Sequence, residues 1–215
     1  RYKYSVTQLG QRAILTGLKL RELIVIPQFA PPTTAASALP AFAAEEGTLL
    51  ASSSTGFEEN ATRWSTTALR SVFRVHDQSS SCEGEWYLKC NGTIRTGGWD
   101  GPGVELLSRV APGHMYQVAI AARFDPEPPP DTERQLTFSV AKSCSDGTVE
   151  DTFEWIQQRN AFTDWLRFSG QIEAHMPECD QLSRLFVYVE TDDADSALSI
   201  HVDDFRILDV TPPTD

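Results

Sequence analysis

From Leu49 onward the chain is built of short runs in which apolar residues alternate with other residues. "MYQVAIAARF" sets Tyr116, Val118, Ile120 and Ala122 against Gln117, Ala119, Ala121 and Arg123. "QLTFSVAKS" sets Leu136, Phe138 and Val140 against Thr137, Ser139 and Ala141, and "RLFVYVET" sets Leu185, Val187 and Val189 against Phe186, Tyr188 and Glu190. A period of two sends successive side chains to opposite faces of an extended strand. In "LSIHVDDFRIL" the apolar spacing lengthens across Asp203–Asp204, from Ile200 and Val202 to Phe205 and Ile207, as a β-bulge requires. "NGT", "APGH", "DPEPPPD" and "SDGT" supply turns between the runs. Such a series predicts an all-β, antiparallel two-sheet sandwich.

The second faces of two runs carry the functional signal. In "MYQVAIAARF" that face is mostly alanine, which leaves room above a sheet; in "RLFVYVET" it is Phe186, Tyr188 and Glu190. Small residues beside aromatics and an acid are the parts of a groove for something flat and polar.

Residues 1–26 differ in character. "QLGQRAILTGLKLREL" spaces Leu9, Ala13, Leu20 and Leu23 among basic residues as a helix would. Tyr4-x-x-Thr7-x-x-Gly10 before it resembles the last wing of winged-helix DNA-binding domains. Without the rest of such a domain the segment would not read DNA, so it is taken as a tail. Residues 27–48 are rich in Pro, Ala and Thr and read as a linker. The sandwich is expected over 49–210, with 211–215 as a C-terminal linker. A chain beginning at Arg1 is expected to be part of a longer one. Ala41–Ala43 also offers an A-x-A cleavage pattern, but Pro27, Pro31 and Pro32 spoil the apolar run that a signal peptide needs.

The net charge of −12 disfavours nucleic acid, whose phosphates attract Lys and Arg. No apolar run approaches the length of a membrane span. Cys82, Cys90, Cys144 and Cys179 include no CxxC and the histidines are scattered, which argues against zinc. Four cysteines allow three connectivities. Cys82–Cys90 with Cys144–Cys179 is the preferred one, against free buried thiols; Cys90 continues the core alternation of Trp86 and Leu88. Trp64, Trp86 and Trp165 read as core, and Phe57 and Trp64 as anchors of the first strand.

"TGFEENATRW", "CEGEWYLKC", "RTGGWDGPGVEL", "VAPGHMYQVAIAARF", "DWLRFSGQIE", "LFVYVE" and "IHVDDFRIL" follow in that order. The series resembles the carbohydrate-binding modules of families 4, 16 and 22, β-jelly rolls attached to polysaccharide-degrading enzymes; "RTGGWDGP" leans towards the xylan-binding family 22. The resemblance implies a structural calcium ion held by Glu58, Asp203 and backbone carbonyls near Cys82 and Glu85. Ca²⁺ takes six to eight oxygens of these kinds. It also implies a sugar site with Trp99 as stacking residue, Glu190 as hydrogen-bonding acid, and a second aromatic at Phe153 or Trp155. Tyr188 beside Glu190 is a further candidate platform. An arginine that the family carries soon after its first tryptophan corresponds to Thr67 here, and Arg95 is a candidate in its stead. A sugar ring has apolar C–H faces for an aromatic ring and polar edges for carboxylates and amides.

The expected function is therefore non-catalytic binding of plant or algal polysaccharide, of xylan or β-glucan type. The module is expected outside the cell or on its surface, as a monomer, tethered to a catalytic domain beyond this sequence. A glycosidase would need two carboxylates across a cleft; Glu190 and Asp100 are the only pair to suggest, with nothing in their spacing to support them. The other alternative is a jelly-roll protein-interaction or cell-surface module, since fold does not determine function.

Overall fold

The structure, a computed structural model, describes residues 63–126, 133–145, 152–179 and 181–212, and the backbone of 48–52. The expected tail 1–26, nearly all of the linker 27–48, and Phe57 and Glu58 lie outside the described residues. Those described belong to one compact unit, Glu45–Asp215, and none of their helices is long and apolar enough to cross a membrane.

The strands are β1 (Thr48–Ser52), β2 (Trp64–Thr66), β3 (Phe73–His76), β4 (Trp86–Cys90), β5 (Pro102–Glu105), β6 (Met115–Phe124), β7 (Arg134–Cys144), β8 (Thr152–Ala161), β9 (Leu166–Glu173), β10 (Leu182–Thr191) and β11 (Ile200–Asp209). They form two antiparallel sheets. The six-stranded sheet runs β3-β4-β11-β6-β9, with β1 also paired to β11; the five-stranded sheet runs β2-β5-β10-β7-β8. Among the described residues the only helical turns are short 3₁₀ segments at Gly92–Ile94, Leu107–Arg109 and Asp193–Asp195.

The alternation read from the sequence is the alternation of the fold. Val118, Ile120, Ala122 and Phe124 of β6, Leu136, Phe138 and Val140 of β7, Leu185, Val187 and Val189 of β10, and Ile200 and Val202 of β11 face one buried core. The bulge is also present. Pairing of β11 with β6 shifts register between Asp203 and Arg206, and Asp204 takes a φ of 45°. The shift keeps Phe205 and Ile207 pointing inward beyond it.

Three expectations are corrected. The alanine face of β6 is not part of a groove with Phe186 and Tyr188. The two strands lie in different sheets, so their outer faces are on opposite sides of the sandwich. Ala119 and Ala121 are buried, and the 77–85 loop bonds to Asp203, the residue paired with Ala121. Trp64 and Trp86 do pack on the core, but Trp165 is half-buried on the outer side of the six-stranded sheet. There its N–H bonds the Ser80 carbonyl at 2.9 Å and the Arg123 guanidinium stacks 4.6 Å from its ring. Cys144 and Cys179 are joined as expected, whereas Cys82 and Cys90 are both free. Cys90 points into the core and Cys82 lies in the outer loop. Burial pushes the Cys90 thiol up to about 12, far from reactivity at neutral pH.

Candidate functional site

The outer face of the five-stranded sheet gathers most of the predicted sugar-site residues. Strand register aligns Phe153, Ala141, Phe186 and Glu105 across β8, β7, β10 and β5; the next row is Trp155, Ser139, Tyr188 and Gly103; the next is Gln158, Thr137 and Glu190. In the middle of this face β7 offers Thr137, Ser139 and Ala141, so small residues run between aromatic residues of β8 and β10. The small-residue floor seen in the sequence is real, but β7 supplies it. Gly103 makes room for the β10 aromatics: a Cβ there would lie 2.5 Å from Tyr188 Cβ and 2.7 Å from Phe186 Cε1.

The aromatics differ in exposure. Phe153 and Trp155 stand out, with Trp155 70% exposed. Tyr188 is 1% exposed and packs with Phe186 and Ala141 in a buried cluster of its own. The expected Tyr188 platform is thus corrected, because the ring lies under the surface. Its task is to support the floor.

Glu190 is half-buried, and its Oε1 accepts the Ser139 hydroxyl at 2.6 Å. Burial raises its carboxyl above the ordinary glutamate value, while hydrogen bonds from Ser139, Tyr188 and Trp155 partly offset this. Beside it, the Gln158 amide donates to Thr137 Oγ1 at 3.2 Å.

Trp99 comes from the loop after β4 and is 46% exposed. The loop is fastened to the strand end that carries Glu190. Thr191 N–H bonds the Gly98 carbonyl at 3.0 Å, and Gly98 N–H bonds Asp193 Oδ1 at 2.8 Å. A Cβ on Gly98 would lie 2.2 Å from the Thr191 carbonyl oxygen, and one on Gly97 would lie 2.6 Å from Trp99 Nε1. The two glycines ahead of Trp99 therefore allow the loop to lie against β10 and the indole to fold over it.

Arg95, expected to touch sugar, is buried instead. Its guanidinium donates to the carbonyls of Asp100 at 3.0 Å, Leu198 at 2.9 Å and Gly98 at 2.7 Å, and to Thr191 Oγ1 at 2.7 Å. Those bonds clamp the loop, so Arg95 positions Trp99 from below. Asp100 is fully buried too. It accepts the N–H groups of Ala68 and Thr96, both at 2.9 Å, and no longer resembles half of a catalytic pair.

Arg184 joins the site although the sequence motifs did not single it out. It lies on the same face as Phe186, Tyr188 and Glu190, 4.9 Å from the Phe186 ring, and donates to the Thr67 carbonyl at 3.0 Å. A cation from β10 thus reaches Thr67, the position where the family pattern has an arginine. Extending the alternation one step back from Phe186 would have found it.

Of the expected calcium ligands, Asp203 is fully buried at the bulge. Its Oδ2 accepts the N–H groups of Cys82 at 2.8 Å and Glu83 at 3.0 Å, and Oδ1 that of Asp204 at 2.7 Å. Burial raises its carboxyl to about 7. A bound cation would favour the charged form of such a carboxylate, so Asp203 fits the role of one ligand. Glu85 does not fit as well: its carbonyl accepts Asp77 N–H at 2.9 Å and its side chain bonds His76 at 3.1 Å. Cys82 presents its N–H to Asp203. Among the described residues no three His, Cys, Asp or Glu side chains converge on a metal position; Glu58 lies outside them.

Comparison with known proteins agrees with this architecture. A family model described as a carbohydrate binding domain matches residues 52–196. No curated protein matches the sequence. Among solved structures, the first family 22 xylan-binding domain of Paenibacillus barcinonensis Xyn10C is 22% identical, with a TM-score of 0.60 over 78% of this chain and 97% of its own. The second such domain of the same protein is 18% identical, with a TM-score of 0.62 over 74% of this chain and 99% of its own. A Clostridium thermocellum xylanase 10B structure, a family 22 module with its catalytic module complexed with xylohexaose, is 15% identical, with a TM-score of 0.59 over 78% of this chain and 29% of its own. At these identities the likeness establishes the sandwich fold.

Proposed function

Because the chain belongs to the carbohydrate binding domain family, we propose that the outer face of its five-stranded sheet binds plant or algal polysaccharide of xylan or β-glucan type without cleaving it. The observation that carries this is the exposure of Trp155 on that face, together with Trp99 on the loop fastened to the end of β10. Each indole offers an apolar face for a pyranose ring. Gln158, Thr137 and Glu190 at one end, and Arg184 at the other, offer polar groups for sugar hydroxyls. The face is open, and hydroxyls exchange water for protein, so binding is expected to be moderate and reversible. Its use is to hold an attached enzyme near its polymer outside the cell, by raising local concentration.

Trp99→Ala tests the proposal. Affinity gels containing xylan or β-glucan should retard the variant at least about tenfold more weakly, as expected for loss of a central aromatic contact. Unfolding should stay cooperative. Equal retardation of variant and parent in every glycan would favour the protein-interaction module instead, and release of reducing sugar would make the chain an enzyme.

We also propose that calcium binds at the bulge through Asp203, with Glu58 as its partner carboxylate. The support is a fully buried carboxylate whose hydrogen-bond partners among the described residues are backbone N–H groups. When bound, the ion would supply positive charge next to that carboxylate and tie the loop before β4 to β11.

A further inference from the structure

The connection after β10 brings an acid against the loop that carries Trp99. Gly97 lies between the two: a Cβ there would stand 2.6 Å from Trp99 Nε1 and 3.3 Å from Asp193 Oδ1. The indole N–H and the Asp193 carboxylate therefore flank one glycine, which puts no side chain into the space they share. Trp99 and Asp193 are both exposed. The Gly98 N–H fixes Asp193 Oδ1 at 2.8 Å. Among the described residues this is the only hydrogen bond of that carboxylate, and the Trp99 N–H makes none. Arg95 holds both segments from beneath. Its Nη2 donates to the Gly98 carbonyl and to Thr191 Oγ1, two residues ahead of Asp193, each at 2.7 Å. A donor and an acceptor thus stand ordered at the edge of an aromatic platform, and a ligand need not order them on binding.

We propose that Asp193 is a specificity-determining residue of the glycan site: its carboxylate, together with the indole N–H of Trp99, grips free hydroxyls of the sugar ring that stacks on Trp99. This rests on the glycan-binding reading above and deepens it, because it names what the ring must carry. A hydroxyl both accepts and donates, so it can take the indole N–H and donate to the carboxylate. A carboxylate only accepts. A ring whose hydroxyls are esterified has no O–H to offer it. The pair therefore selects rings with free hydroxyls over acetylated ones.

The test measures calorimetric binding of xylo- and gluco-oligosaccharides, each with and without chemical O-acetylation, to the parent, Asp193→Asn and Trp99→Ala. Asp193→Asn keeps an oxygen for the Gly98 N–H, so its unfolding temperature should match that of the parent. Its affinity for the unacetylated oligosaccharides should fall roughly three- to tenfold, as expected for loss of a hydrogen bond to a charged group. The preference of the parent for unacetylated sugar should narrow in the variant, since the new amide supplies N–H donors that an acetyl carbonyl accepts. Equal affinity of the parent and Asp193→Asn overturns the proposal. So does a loss of affinity with the acetyl preference unchanged, because Asp193 would then only fasten the loop. A parent that binds no oligosaccharide overturns the glycan-binding reading and this proposal with it. A parent that binds, with Trp99→Ala weakened and Asp193→Asn unchanged, overturns the role of Asp193 alone.

Discussion

Single residues in this sandwich owe their chemistry to where burial meets hydrogen-bond donors. Asp100 and Glu190 show the two outcomes. For Asp100, burial works to raise the carboxyl, but bonds from Thr66, Ala68 and Thr96 outweigh it and the net shift is downward. For Glu190, burial prevails over the donors Ser139 on β7, Tyr188 on β10 and Trp155 on β8, and over the charge of Arg95; the net shift is upward from 4.5. The sign of the linkage follows. A carboxyl raised in the folded state binds its proton more tightly there than in the unfolded chain, so ionisation costs stability. The unfolding temperature of the parent, relative to Glu190→Gln, should therefore fall as pH rises from 4.5 through the folded-state value, and level off above it. Calorimetric scans from acid to neutral pH measure that difference. A relative rise over the same window would mean that Glu190 is stabilised as the carboxylate.

At the scale of elements, cross-links and close approaches decide which strands stay together. β10 sits between β5 and β7, and its contact with β5 depends on the absence of side chains. A Cβ at Gly103 would lie 2.3 Å from the Val187 carbonyl oxygen. The Cys144–Cys179 disulfide joins the end of β7 to the turn ahead of β10 across a sequence separation of 35. A loop of that length implies roughly 3–4 kcal/mol of stabilisation through the unfolded chain. Cys144→Ser should lower the free energy of unfolding by about that amount in denaturant titrations, with the strand signal in circular dichroism retained. An unchanged midpoint would show that the link does not constrain the unfolded ensemble. Cys82 and Cys90 offer no second link, because the pleat turns Cys90 into the core.

Across the whole molecule, the bulge in β11 joins local and distant sequence. It buries Asp203 beneath the Cys82–Glu83 loop, 120 residues earlier in the chain. If calcium sits there, saturating Ca²⁺ should raise the unfolding temperature relative to chelator by on the order of 5–10 °C, the effect of ligand at about a hundred times its Kd on a domain this size. Asp203→Asn should abolish the difference, and equal melting of the parent with and without chelator would remove the ion. Much of this molecule was legible in its sequence. The inward residues of β6, β7, β10 and β11, the bulge, and an exposed Trp99 after two glycines all follow from local pattern. The roles of Arg95, Tyr188 and Trp165 were not legible, since burial of a given side chain depends on what another segment lays over it. Sequence by itself determined which residues of each strand face inward, because the pleat ties side-chain direction to chain position with a period of two. Only the tertiary structure decided which strands became neighbours. Strand order is set by long-range packing of two inner faces and carries no mark within any one strand. That is why the small-residue floor beside Phe186 and Tyr188 comes from β7, while the alanines of β6 line the opposite side of the sandwich.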